Sequence, residues 1–337
     1  MILKPTDFAK VLSRYLSAYL PGQRNMSPNT ISSYRDTFKL FLTYCKQNGL
    51  LIERLTLAQV DEALVLAFLK WLEEERNNGI STRNQRLACI HAFFRYVQTE
   101  HPVGLVIYQK ILAIPMKKTP KPTVKHLTPD SLQLILAQPD LETPGGRRDA
   151  TLLSVLYDTG ARVQELVDLR VRDVRLDPPP VLSLTGKGRK TRHVPIMSNT
   201  EAILRQYMVE NRLLHNGEQD RPLFCNRQHS KMTREGVAFI LDKYVARARA
   251  VSSAIPDKVT PHVLRHTKAM HLLQAGVNLI YIRDLLGHVD IATTEVYARA
   301  DTELKRKALE QAYPNMVVEG LPQWNQDEGL IEWLTSL

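Results

Sequence analysis

A chain of 337 residues is long enough for two domains that each bury a core. Its 45 Lys and Arg outnumber 35 Asp and Glu, and the resulting net charge of +10 and pI near 9.5 favour a polyanion such as nucleic acid as partner. The three cysteines, Cys45, Cys89 and Cys225, form no C-x-x-C pair and leave one over in any pairing, which argues against a disulfide framework. Neither a leader pattern nor an apolar run of membrane-spanning length is present, so the expected location is the cytoplasm, with no membrane partner.

Residues 1–113 read as a small helical bundle. Helical stretches are expected around residues 6–20 and 57–76. Between them, SPNTISSYRDTFKLFLTYCKQNG carries Ser27 as N-cap, Pro28 in the first turn, Gly49 as stop, and an apolar face of Ile31, Tyr34, Phe38, Phe41, Leu42 and Cys45. STRNQRLACIHAFFRYVQTEHP repeats the device, with Ser81 as cap and Leu87, Ile90, Phe94 and Val97 on one face. Arg83, Arg86 and Arg95 are then free to point away from that face, as an ordinary solvated surface or as a DNA-facing stripe.

Residues 114–126 form a basic linker in which Pro115, Pro120 and Pro122 forbid a continuous helix, and which carries Lys117, Lys118, Lys121 and Lys125. A second domain spans 127–313. Charge is uneven: residues 1–126 hold 18 basic and 9 acidic side chains, residues 127–313 hold 27 and 22, and the last 24 hold four acids and no base.

Four segments of the second domain are rich in groups that handle phosphate. In YDTGARVQELVDLR, Arg162 and Glu165 share a helical face, a spacing that equally describes a surface ion pair. VLSLTGKGRKTRHVPI reads as a hairpin whose basic tip holds Lys187, flanked by Gly186 and Gly188, with Arg189 and Lys190 beside it; an exposed turn kept soluble by lysines fits as well. VTPHVLRHTKAMHLLQAG is a helix capped by Thr260 and ended by Gly276. It sets His262, Arg265 and His266 in its first turns, where the helix dipole favours an anion. His262 and His266 lack the glutamate of H-E-x-x-H and a third ligand, so no metal and no cofactor are expected. Finally NLIYIRDLLGH, capped by Asn278 and ended by Gly287, presents His288, and DIATTEVYARA carries Tyr297.

Together these residues hold what metal-free cleavage of a phosphodiester requires. Cations neutralise the nonbridging oxygens, a nucleophile attacks in line, and an acid protonates the departing oxygen. A phenol of pKa about 10 attacks only once its proton is accepted and its target neutralised.

The ordered set TGARVQEL, TGKGRKTRHVP, TPHVLRHTKAMHLLQAG and LLGHVDIATTEVYA resembles the tyrosine recombinase, or phage integrase, family, which includes the Xer recombinases. The resemblance implies a mainly α fold with a small β-sheet. An N-terminal helical core-binding (SAM-like) domain and a mixed α/β catalytic domain would form a C-shaped clamp around duplex DNA. It further implies that Arg162 and Arg265 grip the scissile phosphate, Lys187 acts as general acid, and His262 and His288 assist. Tyr297 would be the nucleophile, with Glu165 and His266 in support. Tyr297 would form a 3′-phosphotyrosine and release a 5′-hydroxyl, and strands would exchange through a Holliday junction in a tetramer on paired double-stranded sites. Arg83, Arg86, Arg95, Lys117, Lys118, Lys121, Lys125, Arg189 and Lys190 are candidate DNA contacts.

The segment 314–337 is separate. DEGLIEWLTSL places Leu330, Trp333, Leu334 and Leu337 on one helical face, and its acidity favours a protein groove over DNA, either on a neighbouring protomer or on its own domain. Three further classes fit part of the sequence: a noncatalytic helical DNA-binding regulator, a metal-dependent nuclease, and a type IB topoisomerase-like nicking enzyme.

Overall fold

The computed structural model describes residues 4–119, 124–186, 190–215, 217–288, 290–300 and 330–336. The chain falls into two compact units, Met1–Pro122 and Thr123–Leu337. Among the described residues no helix is long and apolar enough to cross a membrane.

The first unit is helical throughout. Helix α1 (Asp7–Arg14) is capped by Thr6 and runs into a wide π-helical stretch, Tyr15–Gln23, that contains Pro21. Helix α2 (Pro28–Gln47) starts where expected, with the Ser27 hydroxyl accepting from Thr30 N–H, and the chain leaves it through Gly49 at φ 79°. Helix α3 (Glu62–Glu74) is shorter than the expected 57–76, because Asp61 accepts from Leu64 N–H and fixes the start there.

Helix α4 (Ile80–Glu100) is capped by Gly79 rather than Ser81. The chain turns at Asn77 (φ 50°) and approaches extended through Gly79, so Ser81 already lies inside the helix. Helix α5 (Leu105–Ala113) gave no sequence signal: it is short, lacks a side-chain cap and follows Pro102 and Gly104. The core is aromatic, with Phe93 at its centre in edge contact with Phe38 (4.8 Å), Tyr15 (5.3 Å) and Phe8 (5.9 Å).

The second unit begins with α6 (Pro129–Leu136) and α7 (Pro144–Thr159), which ends on Gly160 in the left-handed region at φ 58°. Arg162 then caps the short α8 (Val163–Asp168). Three antiparallel strands follow in the order β1-β2-β3: β1 (Val174–Arg175), β2 (Val181–Thr185) and β3 (Thr191–Pro195). Leu182 faces Val194, and Leu184 faces Arg192. Alternation on β2 sends Leu182 and Leu184 into the core.

Helices α9 (Ser198–Glu210), α10 (Arg234–Val251), α11 (Pro261–Gln274), α12 (Leu279–Leu286) and α13 (Ala292–Ala300) follow among the described residues. Thr260 caps α11 and Asn278 caps α12, and α12 ends at Gly287 with φ 64°. Helix α11 is buried on more than one side: Leu264 joins the main core of the unit, while Ala269, Met270 and Leu273 join a second cluster with Ile282, Leu286 and Tyr297. A last short helix, α14 (Leu330–Thr335), is described near the C-terminus.

Candidate active site

The turn after α7, strand β3, the first turns of α11, the end of α12 and α13 supply the site. Gly160 lets the chain reverse into Arg162; a Cβ there would sit 2.8 Å from Leu286 Cδ2. Arg265 is only 2 % exposed and donates to two carbonyls, Gly160 O at 2.7 Å and Leu286 O at 2.6 Å. Burial, then the neighbouring Arg162, lowers its pKa to about 10, so it stays cationic at neutral pH.

Glu165, also buried, accepts from the backbone N–H and Nη1 of Arg162 (2.9 and 2.7 Å) and from Nη1 and Nη2 of Arg192 (3.1 and 2.7 Å). Burial pushes its carboxyl up, but the hydrogen bonds from Arg192 and Arg162 outweigh that, and the pKa lies below the ordinary value. The surface ion pair open from the Arg162–Glu165 spacing is thus part of a three-member cluster around a buried carboxylate, with Arg162 its exposed edge.

The three histidines occupy distinct places. The Tyr297 hydroxyl lies 2.8 Å from Nδ1 of His266, and the phenol is 2 % exposed. With the imidazole proton on Nε2, the phenol donates to Nδ1. His288 Nδ1 pairs with Thr294 Oγ1 at 2.9 Å, and its ring lies nearly parallel to that of Tyr297, 6.4 Å between centroids. His262 packs edge-on against His266 at 4.2 Å and is the exposed member.

Burial, then His262 and Arg265, brings His266 down to about 4; burial, then Arg265, Arg162 and Arg192, brings His288 to about 4; and desolvation with Arg265 and Arg162 lowers His262 as well. Burial raises the Tyr297 pKa, against the opposing pull of Arg265 and Arg162. Tyrosine and histidines are therefore neutral at pH 7.

Arg162, Gly186, Lys190, Thr191, Arg192, Arg283, Asp284, Gly287 and His288 line an open cavity of about 460 Å3. Arg265, His266 and Tyr297 are not among the residues that line it. Lys187 and Arg189 fall outside the described residues. Among the described residues, no group of three or more His, Cys, Asp or Glu could hold a metal ion.

The structure sorts the candidate DNA contacts. Arg83, expected on a surface stripe, is buried at 4 % exposure and donates to Pro115 O, because its long side chain fills the gap between α4 and the chain leaving α5. Arg86 is half-buried and donates to Ser33 O and Thr37 Oγ1, tying α4 to α2. Lys117 pairs with Glu73 at 2.8 Å. Arg95, Lys118, Lys125 and Lys190 are exposed, and Lys121 lies outside the described residues.

In α14, Trp333 is half-buried and Leu334 is 50 % exposed. Leu337 and the side chain of Leu330 lie outside the described residues. The residue missed from sequence is Arg192, whose only local signal is a cation at an alternating position of a strand.

Comparison with known proteins agrees with this architecture. The profile of the Phage integrase family matches residues 125–303, and that of the phage integrase N-terminal SAM-like domain matches residues 12–101. A Sinorhizobium fredii protein described as an integrase/recombinase, y4rC, is 36 % identical over 336 residues, covering 99 % of both chains. Tyrosine recombinase XerC of Oceanobacillus iheyensis is 32 % identical, over 88 % of this chain and 93 % of that one. Among solved structures, the XerH site-specific recombinase bound to difH substrate in a pre-cleavage complex is similar with a TM-score of 0.64 and 26 % identity, covering 85 % of this chain and 80 % of that one. The chain belongs to the phage integrase family and is a tyrosine recombinase.

Proposed function

We propose that this enzyme carries out site-specific recombination of double-stranded DNA with Tyr297 as its nucleophile. The observation that carries the reading is the Tyr297 hydroxyl, bonded at 2.8 Å to His266 and lying in the field of both Arg265 and Arg162.

In the proposed reaction the phenolic oxygen attacks the scissile phosphorus as its proton passes to Nδ1 of His266. The bond from phosphorus to the 5′ oxygen breaks, leaving a 3′-phosphotyrosine, and the departing oxygen takes a proton to become a 5′-hydroxyl. Arg162 and Arg265 neutralise the nonbridging oxygens as charge develops, and His262 and His288 donate hydrogen bonds to them. Lys187, which falls between β2 and β3 in sequence and lies outside the described residues, is the proposed proton donor. The 5′-hydroxyl of a partner duplex then attacks the phosphotyrosine and frees Tyr297. The phosphodiester bond is conserved through the covalent intermediate, so the exchange balances without a nucleotide cofactor or a metal.

Strand exchange in a tetramer on paired sites, through a Holliday junction and in the cytoplasm, completes the reading. Arg95, Lys118, Lys125 and Lys190 are the proposed backbone contacts. The acidic C-terminal segment is proposed to dock on a neighbouring protomer through Trp333 and Leu334.

A duplex nicked close to the cleavage point traps the covalent species, because the short fragment diffuses away. The wild-type protein should shift to a DNA-linked band on denaturing electrophoresis. Tyr297→Phe should bind the same duplex with unchanged affinity and give no such band; a Tyr297→Phe adduct overturns the assignment.

A further inference from the structure

Arg192 belongs to none of the phosphate-gripping positions just described, yet it ties the Glu165 carboxylate to the end of α12. Its side chain is 14 % exposed, and all three of its nitrogens have protein acceptors: Nε donates to Leu285 O at 2.8 Å, while Nη1 and Nη2 donate to the two oxygens of Glu165. Arg162 is placed differently. It is 40 % exposed, it shares only one guanidinium nitrogen with Glu165, and its other contact, Nη2 to Gly287 O, is long at 3.3 Å.

The acceptors form a pattern. The last carbonyls of a helix have no intrahelical donor and carry the negative end of its dipole. Here Leu285 O, Leu286 O and Gly287 O are taken in turn by Arg192, Arg265 and Arg162. His288 follows immediately. The absence of a side chain at Gly287 is required by this clasp, since a Cβ would stand 2.9 Å from Arg192 Nη1 and 3.1 Å from its Cδ.

We infer that Arg192 is a positioning residue: by holding Glu165 and the C-terminal carbonyl of Leu285, it sets Arg162 and His288 against the phosphate without binding phosphate itself. The inference rests on the proposed cleavage reaction. A guanidinium is required because both oxygens of one carboxylate and a carbonyl in a different direction must be met by one rigid fork, which an ammonium cannot do.

The test uses the full-length protein and the nicked duplex, with separate measurements of DNA affinity at several salt concentrations and of the single-turnover rate of adduct formation. For Arg192→Gln and Arg192→Lys, the expected result is an unchanged affinity and salt slope, with cleavage slowed by about a hundredfold, as for a misplaced catalytic group. Arg192→Lys should fail to rescue despite its charge. A phosphate-binding Arg192 would instead lower the salt slope by about one in the Gln variant and be restored by Lys, which overturns the inference.

A second arm guards against loss of fold. If Arg192 acts through Glu165, the rate of the Arg192→Lys, Glu165→Gln double variant should equal that of the slower single variant, whereas multiplying defects would contradict the coupling. Failure of the wild type to form any adduct would sink the cleavage reading itself, whereas wild-type cleavage with an unimpaired Arg192→Lys variant sinks only the role of Arg192.

Discussion

His266 and Tyr297 meet across 31 positions of sequence; burial keeps each neutral, and the hydrogen bond between them fixes their alignment. The phenol cannot ionise in its buried place without a charge to receive it, and His266, held near 4 by burial and by His262 and Arg265, is empty of its second proton at neutral pH. That arrangement has a thermodynamic cost at low pH. The folded-state values of His266 and His288, about 4, lie below the ordinary 6.5, so between these limits the unfolded chain binds more protons. The stability they contribute is fully present above about pH 6.5 and is lost as pH falls toward 4. Urea unfolding followed from pH 7 to pH 4 should show stability falling across that window, and His288→Asn should flatten the slope by up to about 1.4 kcal/mol per pH unit. An unchanged slope in that variant would contradict the neutral, buried state of His288.

The end of α12 and the end of α7 carry the residues proposed for the chemistry, and each turns on a left-handed glycine. Gly287→Ala places a side chain at φ 64° and drives it into Arg192. The expected loss of stability is about 1–2 kcal/mol, measured by urea unfolding, with a larger relative loss of cleavage because the clasp is displaced. Beneath the α7 end, Lys268 and Asp158 form a buried pair at 3.1 Å, and Asp158 also accepts from Met197 N–H. Lys268→Ala strands a buried carboxylate and should cost about 3–5 kcal/mol, whereas Lys268→Met with Asp158→Asn should recover much of it. Much of this scale was legible in the sequence. Ser27, Thr260, Asn278 and Gly287 belong to a short-range code, in which a cap or a stop is decided by groups within a few residues. Arg192, the burial of Arg83 and the choice of His266 over His262 as the partner of Tyr297 were not legible, since each is settled by a distant segment that no local period records. A two-residue strand such as β1 and an uncapped helix such as α5 leave no period to read.

At the scale of the whole molecule, the ordered motifs carried the family, and hence the two-unit architecture, further than composition or periodicity did. The helical first unit and the catalytic unit each expose cations, among them Arg95, Lys118, Lys125 and Lys190. Binding that rests on backbone phosphates should weaken steeply and linearly in a plot of log affinity against log salt, with replacement of any one of these cations lowering the slope by about one. The acidic C-terminal segment should act apart from this. Truncation after Tyr313 should leave single-site affinity intact and abolish cooperative pairing of sites, as read by gel shift on duplexes carrying one and two sites. The most direct measurement of the central claim is to digest the trapped covalent complex and identify the amino acid joined to DNA. A single phosphodiester linkage between Tyr297 and a 3′ end, with a free 5′-hydroxyl on the released strand, is the predicted result; linkage through any other residue, or to a 5′ end, would contradict the account.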